Sequence, residues 1–418
     1  MIIIRLALQS LRNRWITALL TILAIALSVM LLLGVEKIRS GARDSFANTI
    51  SGTDLIVGAR SGSMQLLLYS VFRIGNATNN LSWRSYKKIA ARPEVKWIVP
   101  LSLGDSHKGF RVMGTNEAYF KYYRYRDKRH LSFAKGALFN DLFDVVIGAD
   151  VARKLDYHIG DKIIVAHGLG GIGAKHDATP FRIKGILRKT GTPADKTLHV
   201  SLRAIEAIHV DWQAGYKVPG QTTPATRLRH MKLRHKAITA ALVGLKSRLQ
   251  VFGFQRFVNN YRREALSAVL PGLALHEMWA LVGTAEKALM AVSVMVVVTA
   301  ILGLMTMIFS TLNERRREIA ILRSIGAGPR MVIGLLVSEA AILTALGVIL
   351  GTMGLYALLL LIRPFIDETY GLHIEMSAPS ATEGLALGAI LLGGIIAGLL
   401  PAIRAYRQSL ADGMMVRT

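Results

Sequence analysis

The chain has 418 residues, 52% of them hydrophobic, and 52 Lys and Arg against 27 Asp and Glu give it a formal net charge of +25. It contains no cysteine, which excludes disulfide staples, thiol nucleophiles and thiolate metal ligands. This composition is typical of an integral membrane protein with a sizeable water-exposed part.

Four apolar runs are long enough to cross a bilayer core of about 30 Å, which needs roughly 20 residues per helix. A long insert separates the first two runs, whereas the others follow closely. We therefore predict a membrane protein of four transmembrane α-helices, with a large α+β extracytoplasmic domain inserted between helices 1 and 2. The predicted boundaries are N-terminus 1–15, first span 16–35, stalk and α+β domain 36–287, second span 288–312, coupling segment 313–330, third span 331–362, outer loop 363–383, fourth span 384–403 and tail 404–418.

Arginine placement predicts the orientation of the chain. Arg5, Arg12 and Arg14 precede the first span, and five further arginines lie between the second and third spans. Short basic loops stay in the cytoplasm, so both termini are predicted there and the insert outside. The first apolar run is about twice as long as the core of a signal peptide, which indicates an uncleaved anchor.

The insert is strongly basic. Residues 36–285 hold 39 Lys and Arg and 18 Asp and Glu, and the difference, 39 − 18, is +21 of the chain's +25. This charge favours anionic neighbours such as lipid head groups, lipopolysaccharide or an acidic protein, the alternative being charge that only aids solubility. Nucleic acid is not expected on that side of the membrane.

The residue pattern within the insert is mixed α+β. Helical segments 34–50 and 264–287 are predicted to extend the first two spans as a stalk, and the polar stretch 213–235 is predicted to be irregular. Alternating and β-branched residues predict strands, with two short helices between them. The predicted strands are 54–58, 95–101, 145–148, 161–166, 181–187 and 197–201, and the helices are 149–155 and 202–209.

No catalytic motif emerges. The segment 168–173, Gly-Leu-Gly-Gly-Ile-Gly, fits a dinucleotide fingerprint, but a strand rather than a helix should follow it, so a hairpin loop is the better interpretation. The sequence lacks Gly-x-Ser-x-Gly, His-Glu-x-x-His and the Gly-Lys-Ser/Thr of an ATPase loop. We predict a non-enzymatic chain without a cofactor of its own, powered by ATP that another chain hydrolyses.

Histidine is the one residue type that hints at a metal. All eleven histidines fall on the predicted outer side, and His167, His176 and Asp177 flank the glycine-rich loop. Neutral imidazoles with a carboxylate can hold zinc or copper. The alternative is a set of surface histidines in a domain that happens to be rich in them.

Two features stand out within the spans. Glu339 is the single charge inside a span, so it should face the bundle interior, either as a switch or as a hydrogen-bonded structural group beside Thr17, Thr21 or Ser28. Small residues at four-residue spacing let helices approach closely, and a thin four-helix bundle predicts a dimer. The glycines concerned are Gly347 and Gly351, Gly384 and Gly388, and Gly394 and Gly398.

The basic segment 313–330 is predicted to be a cytoplasmic helix that docks on a partner. Its apolar residues recur at helical spacing, and Gly326 and Gly328-Pro329 should end the helix. The residues expected to couple to the partner are Glu314, Arg315, Arg317, Glu318, Ile319, Leu322, Arg323, Ile325 and Gly326.

These residues resemble the FtsX/MacB superfamily of ABC transporter permeases. The match is carried by Arg315-Arg-Arg-Glu-Ile-Ala-Ile-Leu-Arg-Ser-Ile-Gly-Ala327, by Glu339 and by the ending 398–405. Ala320 and Ser324 depart from the family pattern, and the tail lacks its second proline. Three stretches of the insert resemble the MacB-like outer core domain: 146–152, 159–161 and 190–195.

The resemblance implies the permease subunit of an ABC transporter in a bacterial inner membrane. It would form a homodimer, or less readily a heterodimer with a sister permease, bound to two cytoplasmic ATPase subunits that hold ATP and magnesium. ATP-driven closure would shift the coupling helix, and the first two spans would relay that shift to the periplasm, a mechanism called mechanotransmission. A periplasmic adaptor or substrate-binding protein could also take part.

Several cargoes and two other functions stay open. Lipoprotein release, peptide or drug efflux and metal-linked export all suit such a permease. The alternatives are a non-transporting regulator that signals to a periplasmic partner, and a periplasmic component that handles zinc.

Overall fold

A computed structural model describes residues 2–126, 128–168, 175–213, 216–218, 221–324, 326–370, 376 and 378–407. The chain divides into two compact units. The helical unit comprises Met1–Gly41, Gly283–Ile366 and Ile374–Thr418, and the α+β unit comprises Ala42–Val282 and Asp367–His373.

The helices and strands of the described residues are numbered in chain order. The helices are α1 (Ile2–Asn13), α2 (Trp15–Ala47), α3 (Ser63–Leu67, continued by a π-helical turn Leu68–Phe72), α4 (Trp83–Ala90), α5 (Glu117–Tyr122), α6 (Ala149–Leu155), α7 (Leu202–Ile208), α8 (Ala225–His230), α9 (Val251–Asn259), α10 (Pro271–Ser324), α11 (Pro329–Tyr370) and α12 (Ala381–Arg407). The strands are β1 (Leu55–Ala59), β2 (Leu81–Ser82), β3 (Val95–His107), β4 (Phe110–Thr115), β5 (Arg124–Tyr125), β6 (Arg129–His130), β7 (Phe133–Gly136), β8 (Asp144–Ile147), β9 (Lys162–Ile163), β10 (Ala166–His167), β11 (Phe181–Leu187), β12 (Thr197–Ser201), β13 (Trp212–Gln213), β14 (Tyr216–Lys217), β15 (Ala237–Ile238), β16 (Ala240–Leu245) and β17 (Leu266–Val269).

Four helices of the described chain are long and apolar enough to cross a membrane. Their candidate spans are Trp15–Asp44, Pro271–Leu312, Arg330–Ile366 and Ala381–Arg404. Within the helical unit, apolar side chains such as Val29, Leu304 and Leu336 form one buried cluster. The four apolar helices, with the α+β domain between the first and second, give the fold that the sequence predicts.

The start of α12 is fixed by a capping box. The backbone N–H of Ser380 donates to the Glu383 carboxylate at 2.8 Å, and the Ser380 hydroxyl accepts from the Glu383 N–H at 3.3 Å. These two bonds satisfy amide groups that a helix start would otherwise leave without partners. The same carboxylate lies 3.3 Å from the ammonium of Lys37, and both side chains are buried.

The α+β unit is built on an eleven-stranded mixed sheet. Its main strand order is β17-β1-β16-β3-β4-β12-β8-β11-β7, with β10 paired to β3 and β9 paired to β11. Strand pairs β4–β12 and β8–β11 are parallel, and the other pairs are antiparallel. Helix α6 lies in the connection from β8 to its parallel partner β11, as expected where parallel strands need a crossover, and α7 follows β12. Separate apolar clusters pack against the sheet, led by residues such as Met113, Phe181 and Phe254.

The predicted strands at 54–58, 95–101, 145–148, 181–187 and 197–201 are confirmed by β1, β3, β8, β11 and β12, and the two predicted helices by α6 and α7. Three details differ. Residues 266–269 form β17 rather than stalk helix, because their backbone pairs with β1. The stretch 213–235 contains α8, whose Leu228 is buried in the core. Predicted strand 161–166 is divided between β9 and β10, which pair with different strands.

The stretches 146–152 and 190–195 lie against one another. The Asp195 carboxylate accepts hydrogen bonds from the N–H groups of Thr190 and Gly191 at 2.9 and 2.7 Å, which holds the turn closed. A Cβ atom at Gly148 would lie 2.3 Å from the backbone oxygens of Ala194 and Asp195, so only glycine allows this approach. These motifs therefore build the scaffold of the domain.

Candidate metal centre and coupling segment

Four side chains of the α+β unit converge on one point. Asp105 lies on β3, His167 on β10, His176 after the glycine-rich segment and His209 at the end of α7. One ligand atom from each lies within 4.8 Å of all the others. Three imidazoles and one carboxylate form a donor set suited to a divalent transition metal.

Strand pairing brings the first two side chains together. Strands β3 and β10 are antiparallel, and His167 pairs directly with Asp105. Side chains of directly paired residues lie on the same face of the sheet and contact one another. A bulge between Leu103 and Asp105 interrupts the pairing of β3 with β4, and such bulges change the direction of neighbouring side chains.

Backbone hydrogen bonds bring the other two histidines to the same place. The N–H of His176 donates to the Val165 carbonyl at 2.9 Å, which returns the chain beside β10 after the glycine-rich segment. His209 is the C-cap residue of α7, and its Nδ1–H donates to the Ile205 carbonyl at 2.8 Å. This bond leaves the Nε2 atom of His209 facing Asp105 at 3.5 Å.

Burial and the mutual hydrogen bonds of these side chains shift the pKa values of Asp105, His176 and His209. Burial would raise the pKa of Asp105, but hydrogen bonds from His167 and His209 and the nearby imidazole charges lower that pKa to about 2. Burial lowers the pKa of His176 to about 4, which favours its neutral imidazole. Burial also acts to lower the pKa of His209, yet its hydrogen bond with Asp105 raises that pKa overall.

Trp212 covers the cluster. Its ring centroid lies 4.4 Å from that of His176 and 5.3 Å from that of His167. Asp105 and His176 are buried, whereas the side chains of His167 and His209 are partly exposed. The indole therefore shields one side of the four polar groups and leaves another side open to solvent.

The sequence analysis singled out only part of this cluster. His167 and His176 belong to it, but Asp177 is exposed in the turn after His176 and lies outside the group. Asp105 and His209 were missed. Sequence spacing carried no signal for them, because strand register and the end of α7 decide their position.

The predicted coupling residues lie at the end of α10. The helix continues without a break to Ser324, so the segment is its last turns rather than a separate helix. Gly326 then adopts φ +99°, and Pro329 begins α11. Ile321, which the sequence analysis did not single out, is 51% exposed. Ile325 lies outside the described residues, and the backbone of α10 contains Glu314, Arg315, Arg317, Glu318, Ile319, Leu322 and Arg323.

Four of the predicted packing glycines lie at helix contacts within the helical unit, whereas a Cβ atom at Gly384 or Gly388 would have no neighbouring element within 4 Å among the described residues. A Cβ atom at Gly347 or Gly351 would clash with Ile25 or with the Ala26 carbonyl of α2. A Cβ atom at Gly394 or Gly398 of α12 would clash with Thr344 or Ala340 of α11. Glu339 of α11 is 3% exposed, so its carboxylate lies inside the bundle.

Comparison with known proteins identifies two families. A family model described as FtsX-like permease C-terminal matches residues 290–410, and one described as MacB-like periplasmic core domain matches residues 18–229. Together they cover both the helical unit and most of the α+β unit.

Two curated proteins are similar in sequence. The macrolide export ATP-binding/permease protein MacB of Nitrobacter winogradskyi is 25% identical over 315 residues, which cover 69% of this chain and 42% of that protein. The uncharacterized ABC transporter permease YvrN of Bacillus subtilis is 30% identical over 112 residues, which cover 27% of this chain and 26% of that protein. The chain thus spans less than half the length of these relatives.

Two solved domains align with the α+β region. The periplasmic region of MacB from Actinobacillus actinomycetemcomitans has a TM-score of 0.35 and 11% identity, covering 55% of this chain and 94% of that chain. The extracellular domain of the noncanonic ABC-type transporter YknZ from Gram-positive bacteria has a TM-score of 0.31 and 14% identity, covering 52% of this chain and 99% of that chain.

Proposed function

The chain belongs to the FtsX-like and MacB-like ABC transporter permeases, and from this premise we propose that it couples ATP hydrolysis by a separate cytoplasmic ATPase to conformational work in the periplasm. The ATPase would bind ATP and magnesium, and two copies of the permease would form the membrane dimer. The dimer would reside in a bacterial inner membrane with both termini of each chain in the cytoplasm.

The observation that carries this proposal is the continuity of α10. It contains 54 residues without a break, and at 1.5 Å per residue it is about 80 Å long. The hydrocarbon core of a bilayer is only about 30 Å thick, so a helix of this length extends well outside it. In the proposed mechanism, a push on the basic end at Asn313–Ser324 would be passed along this helix to its first residues, which follow β17 in the chain.

A second helix supports the same mechanism. Helix α2 contains 33 residues, from Trp15 to Ala47, and its apolar part lies against α11 through Gly347 and Gly351. The 418 residues contain no Gly-Lys-Ser/Thr phosphate-binding loop, and the proposed mechanism takes its ATPase from a partner. Lipoproteins, peptides, drugs or other envelope molecules are the cargo classes that work done outside the membrane would suit.

The coupling role is tested by charge reversal at the end of α10. The double variant Arg317→Glu with Glu318→Lys keeps the net charge but inverts the pattern presented to a partner. We expect the affinity of the full-length variant for its co-purifying ATPase to fall at least about tenfold, which corresponds to about 1.4 kcal/mol of binding free energy. Quantitative pull-down from membranes, with ATPase activity of the eluate, measures this.

A matched control uses Glu117→Lys with Lys121→Glu, which swaps two exposed charges on α5 of the α+β unit. This control should bind the ATPase like the unmodified chain. If the Arg317/Glu318 variant folds, as judged by its thermal midpoint, and still retains the ATPase fully, the coupling role is wrong.

A further inference from the structure

The distances within the cluster of Asp105, His167, His176 and His209 match a tetrahedral cation site. The Asp105 Oδ1 atom lies 3.1 Å from His167 Nδ1, 3.5 Å from His209 Nε2 and 3.9 Å from His176 Nε2. His167 Nδ1 lies 3.1 Å from His209 Nε2. Tetrahedral zinc with nitrogen or oxygen ligands at about 2.0–2.1 Å holds those atoms about 3.3–3.4 Å apart. These four separations lie within about 0.6 Å of the spacing that such an ion imposes, and all four ligand atoms lie within 4.8 Å of one another.

The ring orientations also favour a metal. Histidine ligands usually donate their second N–H to a backbone carbonyl, which fixes the tautomer and turns the free nitrogen towards the ion. His209 does this through Ile205 at 2.8 Å. The Nε2 atom of His176 faces the same carboxylate, 3.9 Å from Asp105 Oδ1.

The Nε2 atom of His176 is the decisive group. The side chain is 1% exposed, and this nitrogen has no hydrogen-bond partner within the described part of the chain. A buried polar atom without a partner costs free energy, so such atoms usually face an ion or water. The nearby His107 differs, since Ile164 and Tyr157 contact both of its ring nitrogens at 2.6 and 2.9 Å.

Hydrogen bonding alone accounts poorly for the cluster. Two imidazole nitrogens, from His167 and His209, face each other and the same carboxylate oxygen, and a third nitrogen points at that oxygen from 3.9 Å. One proton on His167 can serve only one of its two acceptors at a time. A cation at the centre accepts lone pairs from all four atoms at once, so every polar group is satisfied.

We propose that Asp105, His167, His176 and His209 bind one divalent transition-metal ion, with zinc as the preferred occupant. Three imidazole nitrogens and one carboxylate oxygen suit zinc. Calcium and magnesium prefer oxygen ligands, so this donor set does not favour them. Four protein ligands complete a tetrahedron and leave no open position for a reacting water. The ion is therefore held rather than used for hydrolysis.

The bound ion would act as a cross-link in a domain that has no cysteine and therefore no disulfide bond. The ligands come from β3, β10, the segment after residue 174 and the end of α7. One ion would fix the ends of the glycine-rich segment to the sheet and to α7. The periplasmic metal concentration would then set how firmly this surface is held. This inference does not depend on the ATPase coupling of α10, because the cluster lies wholly within the α+β unit.

The test uses the full-length permease purified in detergent and stripped with a chelator. Titration with Co²⁺ should give the intense visible absorption of tetrahedral cobalt at a stoichiometry of one per chain, and added Zn²⁺ should abolish it. Zn²⁺ should also raise the thermal midpoint. A weak octahedral spectrum, or no binding, would overturn the proposal.

Variants localise the site. His176→Gln should weaken Zn²⁺ binding at least about a hundredfold, since loss of even an outer partner of a metal ligand costs about 10–100-fold. His209→Gln serves as a second variant in case His176→Gln fails to fold, and its metal-free thermal midpoint verifies folding. His130→Gln, at an exposed histidine on β6, is the matched control and should bind like the unmodified chain. Retention of full affinity by a folded His176→Gln or His209→Gln variant would contradict the assignment.

Discussion

His199 is a buried residue whose protonation should contribute to the acid sensitivity of the α+β unit. It lies on β12 with no exposed surface, and its Nδ1 atom lies 3.3 Å from the Val146 carbonyl. Its imidazole packs against two aromatic side chains. The ring centroid of Tyr119 lies 5.4 Å from that of His199, and the ring centroid of Phe120 lies 5.7 Å from it. Burial, aided by the charge of Arg73, lowers the pKa of His199 to about 3.

The sign of the pH effect follows from that pKa. Between the ordinary value of 6.5 and about 3, the unfolded chain binds a proton that the folded chain refuses, so folding stability falls as the pH falls through this window. We expect His199→Phe to remove this contribution. Within the window, the free energy of unfolding of the variant should then fall less steeply with falling pH, by about 1.4 kcal/mol per pH unit. Unfolding of the metal-free permease from pH 7 to pH 4 measures it. Parallel stability curves for the variant and the unmodified chain would contradict the explanation.

The candidate metal centre could be predicted from the sequence only in part. His167 and His176 attract attention because they flank a glycine-rich segment, and proximity in the chain made Asp177 the natural third ligand. Asp105 instead reaches His167 through the register of β3 and β10. His209 reaches it because α7 ends there. Such contacts depend on tertiary pairing, which residue spacing does not encode.

At the scale of elements, the long helices depend on close contacts between backbones. Gly351 of α11 faces α2, and an added Cβ atom would lie 2.5 Å from the Ala26 carbonyl oxygen and 2.9 Å from the Val29 Cβ. Because the obstacle is backbone, rotation of a side chain cannot relieve it. We therefore expect Gly351→Ala to destabilise the helical unit by about 1–3 kcal/mol. Thermal unfolding in detergent is the measurement.

Gly388→Ala is the matched control for that substitution. No atom lies within 4 Å of the position where its Cβ would stand. Alanine favours helix by up to about 1 kcal/mol over glycine, so this variant should be unchanged or slightly stabilised. Equal thermal midpoints for Gly351→Ala and Gly388→Ala would show that the α2–α11 contact is looser than described.

Element types were predictable where the local pattern was strong. Val145–Ile147 is apolar and β-branched, Phe181–Lys184 alternates apolar with basic residues, and both segments form strands of the main sheet. The pattern failed at Leu266–Val269, where a short apolar run preceding a long helix was interpreted as part of that helix. Pairing with β1 decides the conformation there. The continuity of α10 past Leu312 was also not foreseen, because the change from apolar to basic residues suggested a break that no Gly or Pro provides.

At the scale of the whole molecule, two helices link the units along the chain. Both α2 and α10 begin or end in the helical unit and continue into the α+β unit without interruption. The coupling segment and residues 271–282, which end the main segment of the α+β unit, are thus parts of the same helix, α10. Under the proposed function, a displacement at the basic segment would be passed along α10 to the outer domain.

The central claim is that ATP binding by the partner ATPase moves these two helices relative to each other outside the membrane. Because the chain has no cysteine, spin labels can be placed at Asp44→Cys on α2 and Leu281→Cys on α10, both exposed. Distances between the two labels should be measured by pulsed electron paramagnetic resonance in the permease–ATPase complex. We predict that the distance distribution shifts when the complex is trapped with ATP, and that the shift disappears with Arg317→Glu and Glu318→Lys. Identical distributions in the nucleotide-free and ATP-trapped complexes would contradict the account.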